Sequence, residues 1–209
     1  MSEPSQKSAS ANTGVITGFY IFLSVAAVLL GTWFGGLDVF VWHNSNATPF
    51  YMDALLGAGV GVIVVGLSNV LDRYAAWSRE LGREFGRTLG NMSLTQAFIF
   101  ALGSGIGEEL FFRGFLQQLF SGLVFSGAWA DMLGLACASL IFGLLHIGPN
   151  LKKIWPWTVM AIILGGVFGA MYLYTGNVLA PIVAHFTINF FNLQSIGRQY
   201  GHLKEDESA

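Results

Sequence analysis

Six long apolar runs dominate the chain and leave it few folds to choose from. Five are clean, spanning residues 14–37, 54–71, 132–151, 154–175 and 178–197, and a sixth over 94–123 is interrupted only by Glu108, Glu109 and Arg113. About 20 predominantly apolar residues suffice for a helix to cross the hydrocarbon of a bilayer. In lipid the backbone must satisfy its own polar groups, which a helix does within one segment. The pattern predicts an all-α, polytopic transmembrane helix bundle with about six spans. Only 11% of the 209 residues are charged, against about 25% in soluble domains. The 27 glycines suit helices whose backbones approach closely.

The remaining sequence divides around these runs. Residues 1–13 form a polar N-terminal tail, residues 14–93 two membrane helices joined to an amphipathic cytoplasmic connector, residues 94–197 a four-helix core, and residues 198–209 a polar C-terminal tail. The first apolar run is too long for the core of a signal peptide, so it is read as a retained helix. Cations orient the bundle, since cytoplasmic segments carry an excess of Lys and Arg. With the N-terminus inside, Lys7, Arg73, Arg79, Arg83, Arg87, Lys152, Lys153, Arg198 and Lys204 all fall on the inner side. The outer loops hold none, so both termini are expected to face the cytoplasm.

In the connector, Tyr74, Trp77, Leu81, Phe85 and Leu89 recur at helical spacing, with Arg79, Arg83 and Arg87 on another face. The pattern fits a helix lying on the inner leaflet or a solvated connector. A net charge of −2 offers no basic surface to nucleic acid. The single cysteine, Cys137, lies within an apolar run and is read as a buried structural thiol.

Ionisable groups inside spanning helices are costly and mark function by default. Glu109 and Arg113, four residues apart, share a helix face and favour an ion pair. Glu108 is turned about 100° from Glu109 and has no local countercharge. A desolvated, unpaired carboxylate is suited to general-base work. On the next run Phe142 and His146 share a face, so the ring can pack against the imidazole. On the last, His185 and Asn189 share a face, where Asn189 either orients the imidazole or joins it in donating to one oxygen. Helix–helix hydrogen bonding explains one such pair. Three groups on three helices read better as one site.

These residues resemble a known family. Glu108-Glu109-x-x-x-Arg113, Phe142-x-x-x-His146 and His185-x-x-x-Asn189 are similar, in order and spacing, to the three motifs of the CAAX-protease and bacteriocin-processing (CPBP) family of intramembrane proteases. The stretch from Thr175-Gly176 to Pro181 resembles the family's approach to the third motif. The likeness covers roughly residues 95–195. It implies a peptidase in which Glu108 and His146 activate water, His185 and Asn189 stabilise the oxyanion, and Glu109 and Arg113 hold the local fold. The implied partners are a peptide or protein substrate at the membrane and the lipid bilayer.

The family has been described as both metal-dependent and glutamate-dependent. Glu108, His146 and His185 would supply a zinc site with one open position, but the chain lacks the His-Glu-x-x-His spacing. Using all three as ligands also leaves only Glu109 as a base. The metal-free mechanism, with no cofactor, is therefore favoured, and zinc is the alternative. Depth poses one difficulty. His146 lies near the cytoplasmic end of its run, whereas Glu108 is about 14 residues, or roughly 20 Å, into a helix entering from that side. They meet if residues 94–102 lie partly in the interface, or if Gly103-Ser104-Gly105 marks the point where the helix enters the membrane.

Two other functions are conceivable. A proton-relaying transporter would need acids or histidines in the outer half, where only Asp38, His43 and Asp53 lie near the first loop. A non-catalytic scaffold or immunity protein would bind a membrane peptide and tolerate Glu108→Gln. Short loops and compactness favour peptide or bacteriocin processing in a bacterial inner membrane.

Overall fold

In a computed structural model, residues 5–41, 48–147 and 151–206 are described. His43 and the outermost residues of both tails lie outside them. The described elements are helical, apart from one bridge between Val41 and Asn177. They are α1 (Ser5–Trp33), α2 (Phe50–Tyr74), α3 (Ala76–Leu89), α4 (Leu94–Glu109), α5 (Ala130–Leu144), α6 (Leu151–Thr175), α7 (Leu179–Tyr200) and the short α8 (His202–Asp206). The interrupted run divides into α4 and two π-helical stretches, Leu110–Gln117 and Phe120–Val124. Helix α1 already begins at Ser5, inside the stretch expected as a polar tail.

The protein is a membrane protein built as an α-helical bundle. Residues Thr13–Trp33, Phe50–Tyr74 and Trp155–Thr175 are long and apolar enough to cross a bilayer. Helix α5 is apolar but has only 15 residues. Helix α4, which buries Ser104, Glu108 and Glu109, has only 16 residues, and α7 buries His185 and Thr187. The outward faces of α1 and α2 expose Phe22, Leu29, Leu55 and Ile63, an apolar surface too extensive to leave in water.

Small residues set the helix contacts. Gly57 of α2 lies against the Ala180 carbonyl of α7, and one turn on, a Cβ at Gly61 would meet Thr187 Cβ at 2.6 Å. Gly105 of α4 faces the Ile182 carbonyl of α7. Helix α4 starts on a capping box, in which Ser93 Oγ accepts from Gln96 N at 3.2 Å and Gln96 Oε1 accepts from Ser93 N at 2.9 Å. The helix then runs unbroken through Gly103-Ser104-Gly105. Gly103 packs against Tyr20 of α1 and Gly105 against α7, so these glycines form a packing seam.

The turn between α6 and α7 explains the Thr175–Pro181 stretch. Gly176 takes a left-handed φ of 69°, a conformation glycine adopts without a Cβ penalty. Asn177 Oδ1 accepts from Leu179 N at 2.9 Å, capping α7. Its Nδ2 donates to the buried Asp53 at 2.8 Å, which pins α2 to this turn.

The connector α3 packs on the bundle. Leu81 is buried, Gly82 and Gly86 lie against Tyr200, and Phe85 meets Trp157 of α6 edge-to-face at 5.3 Å. Arg79 turns back to donate to the carbonyls of Asp72 and Arg73, each at 3.1 Å, closing the end of α2. Arg83 and Arg87 pair along the helix with Glu80 and Glu84. Much of the apolar stripe read from the sequence thus covers protein, while Tyr74 remains exposed.

Candidate active site

Glu108 and Glu109 close α4 immediately before the backbone widens into the π-helical stretch. Such stretches recur at functional sites. Both carboxylates are buried, and adjacent positions on the helix send them to different partners.

Glu109 is the anchored one. Its Oε1 accepts from Arg113 Nη1 at 2.9 Å, the pair expected from the four-residue spacing. The same oxygen accepts from His185 Nδ1 at 2.7 Å, across to α7. Arg113 also donates to the Gly165 carbonyl of α6 at 3.1 Å, and its guanidinium lies over Phe142 at 4.6 Å and Phe168 at 5.3 Å. Burying a guanidinium demands this degree of pairing. Phe168 in turn stacks on His185, with centroids 5.2 Å apart.

Glu108 is the free one. Its Oε2 is buried without a hydrogen-bond partner. It lies 3.8 Å from Nε2 of His146 and 3.8 Å from Nε2 of His185. The three chain segments therefore converge on one carboxylate oxygen. His146 sits just past α5, stacked on Phe142 at 4.5 Å, and its Nδ1 contacts the Phe142 carbonyl at 2.7 Å. A carbonyl only accepts, so Nδ1 carries the proton and Nε2 faces Glu108. His185 is oriented likewise through Glu109.

Asn189 does not orient the His185 imidazole. Its Nδ2 donates to Ser104 Oγ at 2.8 Å, and His185 is held by Glu109 instead. Asn189, Glu108, His146 and His185 nevertheless line a single cavity of about 570 Å³, whose other walls are mostly apolar side chains such as Phe19, Leu164 and Ile188. Trp157 and Phe85 also line it, so α3 contributes to the site.

The sequence reading missed three members: Ser104, Phe168 and Tyr20. Tyr20, on α1, lines the cavity together with Glu108 and Ser104. One signal for it is Gly103-x-x-x-Gly107, a small-residue spacing that invites a second helix. The Phe168 contact has no local signature.

Fold and site together define the class: a helical membrane protein with a buried carboxylate–histidine centre. Residues 90–191 match the family described as Type II CAAX prenyl endopeptidase Rce1-like. The chain is also similar to the uncharacterized protein YpbD of Bacillus subtilis (strain 168), with 31% identity over 115 residues, 55% of this chain and 52% of the relative. It thus spans about half the length of the curated relative it matches. No solved structure matches it.

Proposed function

We propose that the protein is an intramembrane endopeptidase that hydrolyses a peptide bond with water activated by Glu108 and His146. One observation carries this reading. Oε2 of Glu108 is buried without a partner and stands 3.8 Å from two imidazole nitrogens. A water bridging these atoms would lie within hydrogen-bond distance of all three. As its oxygen attacks the scissile carbonyl, its proton passes to Glu108 or His146 and then to the leaving amine.

The oxyanion that forms falls to His185 and Asn189. With Nδ1 held by Glu109, His185 turns Nε2 toward the reacting centre. Asn189 keeps a second amide hydrogen beyond the one given to Ser104. Donors placed in advance commonly lower such a barrier by several kcal/mol.

The zinc alternative fits the donors poorly. Ligands of a tetrahedral zinc at 2.0–2.1 Å stand roughly 3.3 Å apart, closer than the 3.8 Å separations here. Among the described residues no group of three or more His, Cys, Asp or Glu is arranged to hold a metal ion.

The substrate in this reading is a peptide reaching the apolar cavity from the cytoplasm or the bilayer, of CAAX type or a bacteriocin-like precursor. Both termini face the cytoplasm of a bacterial inner membrane, and the site opens to that side, below the membrane surface. The experiment is to express wild type and Glu108→Gln at matched levels and compare new protein N-termini in the membrane fraction by mass spectrometry. Termini present only with wild type support proteolysis and name the cleaved bond. Identical sets from equally folded proteins would sink it in favour of a non-catalytic scaffold or immunity protein.

A further inference from the structure

We propose that a groove at one end of the bundle binds a phospholipid whose headgroup is anionic and carries no cation, phosphatidylglycerol being the type. The groove is separate from the catalytic cavity, and the inference stands independently of the endopeptidase reading.

Helices α2 and α7 run side by side in the same direction, from the contact of Gly57 with Ala180 to that of Asp72 with Tyr200. Their last turns therefore end together. Helix α4 starts beside them, since a Cβ at Gly197 would lie 3.5 Å from Met92 N. A groove of about 540 Å³ opens between these three helix ends. Its walls are graded along the helix axes. On α7, Phe190, Gln194 and Arg198 follow one another at four-residue spacing, and on α2 Val65 is followed by Asn69. Both rows pass from apolar to polar toward the helix ends, one turn at a time. Phe191 adds an apolar ring that is 51% exposed.

The polar end of the groove is unpaired. Gln194 Nε2 is buried without a hydrogen-bond partner. Among the described residues, the Arg198 guanidinium and the Asn69 side chain form no hydrogen bond or ion pair either. All three side chains carry N–H donors, and Arg198 is permanently charged. No carboxylate is among the residues that line the groove. Buried donors without acceptors are costly, so the groove calls for an anion rich in acceptor oxygens.

A phosphodiester on acyl chains has the matching form. The guanidinium can take two of its oxygens through parallel hydrogen bonds, and one positive charge balances one negative charge. The acyl chains would then run along Val65, Phe190 and Phe191. Arg198 lies in the last turn of α7, the level at which basic side chains meet lipid headgroups. An ethanolamine or choline headgroup would bring its own cation beside Arg198, with no carboxylate in the groove to receive it. A glycerol headgroup brings none. The alternative is that interfacial water solvates these donors, in which case lipids fill the groove without selection.

Wild type, Arg198→Ala, Gln194→Leu and Arg83→Ala are purified in detergent and titrated with phosphatidylglycerol or phosphatidylcholine of the same acyl chains. Bound lipid is counted by native mass spectrometry, and folding is followed by thermal melting. Arg83 lies on α3, outside the groove, and pairs with Glu80. Its variant therefore reports diffuse attraction between anionic lipid and surface cations.

Wild type and Arg83→Ala should hold phosphatidylglycerol alike. Binding should weaken about 10- to 100-fold in Arg198→Ala, the scale of one lost hydrogen bond to a charged group. Gln194→Leu should bind it several-fold more weakly than wild type, and wild type should bind phosphatidylcholine several-fold more weakly than phosphatidylglycerol. Equal affinity in wild type and Arg198→Ala would overturn the inference. So would an equal loss in Arg83→Ala, or equal binding of the two lipids by wild type. If Arg198→Ala fails to fold, Gln194→Leu carries the comparison, and undiminished binding there overturns the inference. A rise in melting temperature with inorganic phosphate that matches the rise with phosphatidylglycerol would assign the groove to a free anion instead of a lipid.

Discussion

His185 Nδ1 donates to Glu109 Oε1 over 2.7 Å, linking residues 76 positions apart. That oxygen also receives Arg113, while its companion Oε2 is buried without a partner. One carboxylate oxygen therefore fixes a structural cation and the orientation of a site imidazole at once.

Removing it should expose both dependencies. Glu109→Ala leaves a buried guanidinium without its countercharge, a change that costs about 3–5 kcal/mol. Thermal melting in detergent should show a large loss of stability, and cleavage should vanish. Glu109→Gln retains an acceptor oxygen and should lose less stability.

Glu108→Gln should behave in the opposite way. General acid–base groups contribute about 10²- to 10⁴-fold in rate, so cleavage should fall by that order. Because Oε2 has no partner, neutralising the group removes an uncompensated desolvation cost. Melting of the variant should match or exceed wild type.

Asn189→Ala should lower the cleavage rate by about 10²- to 10³-fold, the scale of one oxyanion donor. Ser104→Ala leaves the Asn189 amide in place but frees its rotamer, so a smaller loss of about tenfold is expected. Initial rates on the mapped peptide bond compare the two. Equal losses would place Ser104 in the chemistry itself.

Chelation addresses the role of metal directly. Incubation of the reconstituted protein with 1,10-phenanthroline should leave the cleavage rate unchanged, and added zinc should not raise it. Loss of activity that zinc restores would replace the metal-free mechanism with the zinc alternative.

Helix packing offers a test independent of activity. Gly61→Val would drive a side chain into Thr187, whereas the same change at Gly66 meets nothing within 4 Å. The first should destabilise by about 1–3 kcal/mol as an overpacked contact, and the second should melt like wild type.

The parts of this architecture legible in the sequence are those governed by one helix at a time. Apolar runs announce the helices, and four-residue spacing brings Arg113 to Glu109 and Phe142 to His146. Relations between helices are set by crossing geometry, which no single segment encodes. Hence the shared face of His185 and Asn189 does not reveal that His185 lies against Glu109 or that Asn189 reaches Ser104. The depth difficulty has the same origin. His146 meets Glu108 from beyond the end of α5, in a turn whose path the helical period does not describe. The π-helical stretch after Glu109 is likewise invisible to a pattern search tuned to 3.6 residues per turn.

The pairing of Glu109 with Arg113 also bears on how the protein is made. During synthesis the helix carrying them emerges well before α7. At 5–20 residues per second, the 76 residues that separate Glu109 from His185 take roughly 4 to 15 s to translate. Throughout that interval a lone carboxylate and a lone guanidinium would each resist transfer from the translocon into lipid. As neighbours on one turn they can neutralise each other locally. This charged segment can therefore partition into the bilayer before its final partner exists, and the reactive centre is completed only when the last long helix arrives.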